Sequence, residues 1–258
     1  MATAAGYTAG ELMVAAAARE IREGEVVFVG MRLPLLAFCL ARVTHAPGAV
    51  GLFENGVVRD TPAEEFIVTM SDGPNVRGAM WTTEMREVMG LLQAGRVDLG
   101  FIGGAQVDRF GNLNTTWVGP RPGGQRLPGS GGGADIASLA RRHIIIMAHE
   151  QRRFVERVDY LTSPGHGTGG DWRRRVGLPG QGPAAVITTL GILRFEADSG
   201  EMALASVHPG VGPDDVQAQT GWPLRRAPGL AKTPAPTPDE LATIRRFDPD
   251  GFWTRGRV

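Results

Sequence analysis

The order of apolar segments over the first 150 residues does most to limit what this chain can fold into. Thr8-Ala9-Gly10-Glu11 has the form of a capping box. Leu12, Met13, Ala16, Ala17 and Ile21 then recur at helical spacing until Gly24. Residues 26–29 read as a short strand buried on both faces. Pro34 suits the first turn of a second helix, from Leu35 to Val43, and residues 50–53 form the next strand. Strand, helix and strand in that order predict two parallel strands joined by a crossover helix. Further strands are expected at 66–70, 97–102 and 144–147, with helices capped at Thr82 or Thr83 and at Asp135. The runs at 155–161, 185–190, 192–195 and 202–207 make the last third β-rich. The expected fold is α/β: an open, mostly parallel sheet flanked by helices, with a β-rich C-terminal third. One main domain is placed at 1–225. A Pro-rich extension and a terminal helix, opened by a second capping box at Thr237 and Glu240, occupy 226–258.

In open α/β sheets, ligands bind beyond the carboxyl ends of the strands. Three turns leave such ends, at 30–34, 54–56 and 103–116. The second carries a single carboxylate: an apolar run ends at Glu54 and Asn55-Gly56 follows at once. Asn-Gly favours tight turns in which the backbone takes positive φ. Glu54 therefore stands at a strand tip, either as a solvated hairpin residue or as a presented nucleophile. Residues 106–116 are rich in amides and hydroxyls, which suits carbonyl or carboxylate recognition as well as an ordinary polar loop. Residues 129–134 fit G-x-G-x-x-A, but the segment before them is Pro/Gly loop rather than strand. No Lys-Ser or Lys-Thr follows, so a Walker loop is excluded too. Small residues before a helix do expose backbone N–H groups to an anion or an oxyanion, unless the loop is simply mobile surface.

Other chemistry is poorly supported. Lysine plus arginine equals aspartate plus glutamate at 27 each, which argues against nucleic acid or an anionic membrane as partner. No run approaches the roughly 18 apolar residues of a membrane span. The start lacks a basic region followed by an apolar one, so a cytoplasmic protein is expected. Cys39 sits in an apolar segment and reads as core. The five histidines lack metal-ligand spacing, and no metal is expected. No Gly-x-Ser-x-Gly elbow is present. The run Arg173-Arg174-Arg175 reads as a solvated surface.

Several stretches together resemble family I CoA-transferases, in the β-type subunit. Glu54-Asn55-Gly56 resembles the family's catalytic motif, and residues 92–107 resemble the stretch that ends in its Gln-Val strand end. Residues 108–114 resemble the loop after it, Gly131-Gly132-Gly133-Ala134-Asp135 its Gly-Gly-Ala loop, and Asp214-Asp215-Val216 with Thr220-Gly221 a late segment. The similarity runs from about residue 10 to 225 and leans toward the β-type subunit of glutaconate CoA-transferase-like enzymes. The resemblance implies a CoA-transferase-like fold and coenzyme A as substrate, with no tightly bound cofactor. It implies an α-type partner chain, in an α2β2 or larger assembly. It makes Glu54 the nucleophile, passing through an acyl anhydride and an enzyme-CoA thioester. Gly131, Gly132, Gly133, Asn55, Gly30 and Gln106 become oxyanion or CoA-binding positions. The alternative is an acyl-CoA or ring-cleaving hydrolase on the same fold. Ring-opening relatives lack the glutamate, so its presence favours transfer. Two positions depart from the pattern: Phe53 stands where many relatives have Ser, and Arg32 where the first turn often has Gly.

Overall fold

The computed structural model describes residues 6–256; the reading of residues 1–5 as lacking a leader lies outside them. Two compact units emerge, one of residues 6–101 with 234–256 and one of residues 102–233. This differs from the division expected at 225. The Pro-rich segment continues the second unit's sheet to Lys232, and the terminal helix belongs to the first unit.

In the first unit, helix α1 (Ala9–Ala18) opens on the expected capping box, with Glu11 N–H donating to Thr8 Oγ1 at 3.0 Å. Strand β1 (Val26–Phe28), helix α2 (Leu33–Val43) and strand β2 (Val50–Leu52) then form the crossover unit. Pro34 lies in the first turn of α2. A Cβ on Gly51 would stand 2.7 Å from the Phe38 ring, so that glycine lets α2 lie against the sheet. Strand β3 (Val57–Arg59), the turn α3 (Gly73–Val76), strand β4 (Trp81–Thr82), helix α4 (Met85–Gln93) and strand β5 (Leu99–Ile102) follow. The sheet order is β5-β1-β2-β3-β4. β1 pairs in parallel with both β2 and β5, while β3 is antiparallel to β2 and to β4. Four of these five strands therefore run the same way.

The strand expected at 66–70 does not form. Asp72 takes the N–H groups of Val68 at 2.7 Å and Thr69 at 3.0 Å, which closes a side-chain turn where a ladder would need those donors. Phe66 and Val68 stand exposed.

The second unit begins with two hairpins, β6 (Gln106–Val107) with β7 (Leu113–Asn114) and β8 (Trp117–Val118) with β9 (Gln125–Arg126). Helix α5 (Gly133–Leu139), strand β10 (Arg142–Met147), turn α6 (Trp172–Arg175) and strands β11 (Pro183–Thr188), β12 (Gly191–Phe195) and β13 (Met202–Val207) follow. Helix α7 (Pro213–Ala218) and strand β14 (Arg225–Lys232) close the unit, and helix α8 (Pro238–Phe247) returns to the first. β10 and β11 pair in parallel, as do β13 and β14, and β12 runs against its neighbours. The strand expected at 155–161 is reduced to one parallel bridge between Phe154 and Val107. The Asp159 N–H is taken instead by Gln106 Oε1 at 3.1 Å. No helix of the described residues is long and apolar enough to cross a membrane.

Candidate active site

The turns after β1 and β2 lie side by side. Phe28 stands opposite Leu52 in the parallel register, and Val29 N–H donates to Leu52 O at 2.8 Å. Gly30 and Glu54 each lie two residues beyond that pair, so they share one sheet edge. The turn at Glu54 is closed by Gly56 N–H donating to Phe53 O at 2.9 Å and Phe53 N–H donating to Val57 O at 2.8 Å. Positive φ falls on Gly56 alone, at 102°, and Asn55 keeps negative φ. This is a three-residue hairpin loop with the glycine at its third position, not a two-residue Asn-Gly turn. The Glu54 carboxylate is half-buried and has no hydrogen-bond or ion-pair partner among the described residues. Phe53 is 1% exposed, so its ring packs in the core.

Gly56 is required for a second reason. A Cβ there would stand 2.0 Å from the Thr83 carbonyl oxygen, while Thr83 N–H donates to Gly56 O at 2.9 Å. Gly56→Ala is therefore expected to lower unfolding stability by about 2 kcal/mol and to shift the Glu54 turn off β4. Urea denaturation checks the first effect; the second shows as activity lost from protein that is still folded.

Asn55 faces the protein. Its Nδ2 donates to Met70 O at 2.8 Å and to Ser71 Oγ at 3.3 Å, and its Oδ1 accepts from Val57 N–H at 3.3 Å. The side-chain amide thus ties the Glu54 turn to the fold. Gly30 keeps an ordinary φ, and the strain sits two residues on. Arg32 has φ 69° and ψ −126°, a region that side chains rarely enter. Its guanidinium lies 5.8 Å from the Trp253 ring. The position that departs from the family's glycine is thus one where the backbone still takes a glycine-like φ.

The remaining expected positions belong to the second unit. Gln106 is buried: Nε2 donates to Asp159 Oδ2 at 3.0 Å, and Oε1 accepts from Asn114 Nδ2 at 2.7 Å. It braces the 106–118 segment, with Oε1 also accepting from Asp159 N–H at 3.1 Å. In the glycine loop, Gly131 takes φ 50°, and Gly133 N–H donates to Ser130 O at 2.9 Å. The N–H groups of Gly131, Gly132 and Ala134 have no partner among the described residues. Gly133 therefore shapes the loop, and its neighbours hold the open donors.

Two buried arginines carry structure that sequence reasoning missed. Arg59, on β3, is 3% exposed. The only signal was a charged residue ending the apolar run Val57-Val58. Arg173, first of the basic run, turns inward. It donates to the carbonyls of Gly165 at 3.0 Å, Pro179 at 3.0 Å and Ala137 at 3.1 Å, with Pro164 and Ser138 slightly farther. Burial lowers its pKa to about 10, so it stays cationic at neutral pH. A cation on the last-turn carbonyls of α5 is favourable, and it fixes the helix that follows the glycine loop. The solvated reading holds for Arg174 and Arg175, which pair with Asp171. Arg173→Met is expected to cost roughly 3 kcal/mol, and Arg174→Ala to stay within about 0.5 kcal/mol, when both are measured by denaturation.

The histidines His143, His149, His166 and His208 are held neutral by burial, which lowers each pKa. His149 stacks on Phe154 at 3.7 Å and bridges Thr188 and Thr220 through its two ring nitrogens. Cys39 is core, and burial pushes its thiol up to about 12. No group of three or more His, Cys, Asp or Glu side chains that could hold a metal is found among the described residues.

Residues 11–219 match the family model described as Coenzyme A transferase. The β-type subunit of 3-oxoadipate CoA-transferase from Pseudomonas knackmussii is 42% identical over 247 residues, covering 94% of each chain. The corresponding subunit of glutaconate CoA-transferase from Acidaminococcus fermentans is 38% identical, covering 96% of each. The crystal structure of glutaconate coenzyme A-transferase from that organism superposes with a TM-score of 0.89 at 34% identity, covering 97% of this chain and 98% of that one.

Proposed function

The chain belongs to the coenzyme A transferase family, and from that premise we propose that it is the β subunit of a CoA-transferase that moves CoA between an acyl-CoA and a carboxylic acid. The observation that carries the reading is Glu54: a half-buried carboxylate without a partner among the described residues, at the carboxyl edge of parallel strands.

A carboxylate needs no general base to act as nucleophile. Glu54 attacks the thioester carbonyl, and CoA leaves as thiolate, giving an acyl-glutamyl anhydride. The thiolate then attacks the Glu54 carbonyl carbon and expels the first acid as carboxylate, leaving an enzyme-CoA thioester. The incoming carboxylate attacks that thioester and expels CoA thiolate to form a new anhydride; the thiolate then attacks the incoming acid's carbonyl, releasing acyl-CoA and the Glu54 carboxylate. Glu54 is regenerated, and no net proton is consumed. Each tetrahedral intermediate carries an oxyanion. Within its own unit the glycine loop keeps the N–H groups of Gly131 and Gly132 open among the described residues while Gly133 donates to Ser130, and the resemblance implies an oxyanion or CoA-binding role for that loop. Loss of one such donor costs roughly 3 kcal/mol of barrier. Asn55 and Gln106, proposed from the resemblance as ligand contacts, also brace the fold through Met70 and through Asp159 and Asn114. Water must be kept from the anhydride, or transfer becomes hydrolysis. An α-type chain is the proposed partner in closing the site, a reading supported by both sequence relatives, each of which is one subunit of a CoA-transferase.

The test is co-expression with an α-type chain, followed by incubation with a panel of acyl-CoA esters with and without acceptor acids. CoA exchange that depends on the acceptor supports transfer. Free acid released at the same rate without acceptor makes the protein a hydrolase and overturns the reading.

A further inference from the structure

The Glu54 turn is tied to a long loop through Asn55, whose shorter bond goes to Met70 and whose longer one goes to Ser71 Oγ at 3.3 Å. Asn55 donates Nδ2 to the Met70 carbonyl at 2.8 Å, and Asn75 donates Nδ2 to that same carbonyl at 2.7 Å. Asn75 is fully buried, and its Oδ1 has no partner among the described residues. An orphaned buried amide oxygen is unfavourable, and packing alone would not select it. The donor end of the same side chain gives the reason, because it holds Met70. The loop is pinned from the other side by Arg59. That guanidinium donates to the carbonyls of Thr61 at 2.8 Å, Asn75 at 2.6 Å and Arg77 at 2.9 Å, and to Pro62 and Pro74 at 3.3 Å. A buried cation, two amides and one carbonyl thus form a series that ends beside Glu54.

We propose that Asn55 and Asn75 are positioning residues for Glu54, acting through the shared Met70 carbonyl, with Arg59 fixing the loop that presents it. The inference rests on the nucleophilic role of Glu54. That role is demanding, because the carboxyl group meets an acyl carbonyl first and a thiolate second. A carboxylate at a hairpin tip has lateral freedom unless something outside the hairpin holds it, and Asn55 is the side chain that reaches out.

The experiment uses Asn55→Asp, Asn75→Asp and the double variant, each purified with the α-type chain. The change keeps side-chain size and removes the donor. Rates are expressed per Glu54 that can be trapped as its CoA thioester and reduced with borohydride, so loss of folded protein does not count. Each single variant is expected to lower kcat about tenfold to 100-fold, with KM for acyl-CoA within about threefold of the parent. The double variant is expected to be no slower than the worse single one, because links in series fail together. Single-variant kcat within about twofold of the parent, or a double effect equal to the product of the singles, overturns the proposal. Should Asn75→Asp not fold, the half-buried Asn55→Asp decides by the same limits. No trapped adduct on Glu54 in the parent protein overturns the transferase reading itself, and the two failures are thereby told apart.

Discussion

Glu54→Gln is expected to lower CoA transfer by at least about 10³-fold while leaving the protein folded. The substitution keeps the shape of the side chain and removes its nucleophile. Stability should change little, since the carboxylate has no hydrogen-bond or ion-pair partner among the described residues that an amide would disrupt. Glu54→Asp sharpens the test. It keeps the carboxylate but withdraws it by one methylene, and a displacement near 1 Å is expected to cost about 100-fold. The order parent, Asp, Gln therefore separates misplacement from absence. Mass spectrometry gives the second readout: after acyl-CoA and borohydride, the Glu54 peptide of the parent should carry a primary alcohol, and the Gln variant should not. Transfer undiminished in Glu54→Gln would remove the carboxylate from the mechanism, whatever the family likeness.

How far this site could be read from sequence depends on which interactions are local. The crossover unit was legible because strand, helix and strand each announce themselves within short stretches of chain. Thr8 with Glu11 and Thr237 with Glu240 are legible for the same reason, and both capping boxes form. Placement of Glu54 at a strand end followed from that order. The type of turn did not, because Gly56 is fixed by the backbone of Thr83, far away in sequence. Residues 66–70 have strand composition, yet Asp72 and Arg59 claim their loop, and neither contact has a sequence period. Arg173 was misread for a related reason. A run of three arginines looks uniformly solvated, and only the fold decides that one of them turns inward onto α5. Gln106 and Asn55 show long-range contacts that the sequence does not announce. Amides near a strand end suit ligands, and here they also bond to Asp159, Asn114 and Met70.

The acid limb of stability should be steep, and of the four buried histidines His143 and His149 contribute most to it. Burial, with Arg173 and His166 nearby, lowers the His143 pKa from 6.5 to about 3. Burial, with a smaller contribution from His208, lowers that of His149 from 6.5 to about 3. The folded values lie below the unfolded ones, so between those limits the unfolded chain binds more protons. Stability is therefore lost as pH falls through about 6.5, and the loss levels off near 3. At pH 5 each histidine has removed about 2 kcal/mol relative to neutral pH, or about 4 kcal/mol together. This is a large share of the roughly 5–15 kcal/mol typical of a folded domain. His143 offers the cleaner test, because neither of its ring nitrogens has a hydrogen-bond partner among the described residues. His143→Leu gives up no hydrogen bond and removes a group that must stay neutral to remain buried. The variant should be near the parent in urea stability at pH 7.5, and at pH 5 it should retain about 2 kcal/mol that the parent loses. His149→Leu shares the pH effect, but it also breaks the bridge between Thr188 and Thr220 and should be weaker at every pH. Parallel acid limbs in the parent and His143→Leu would show that the burial of that imidazole does not govern the transition.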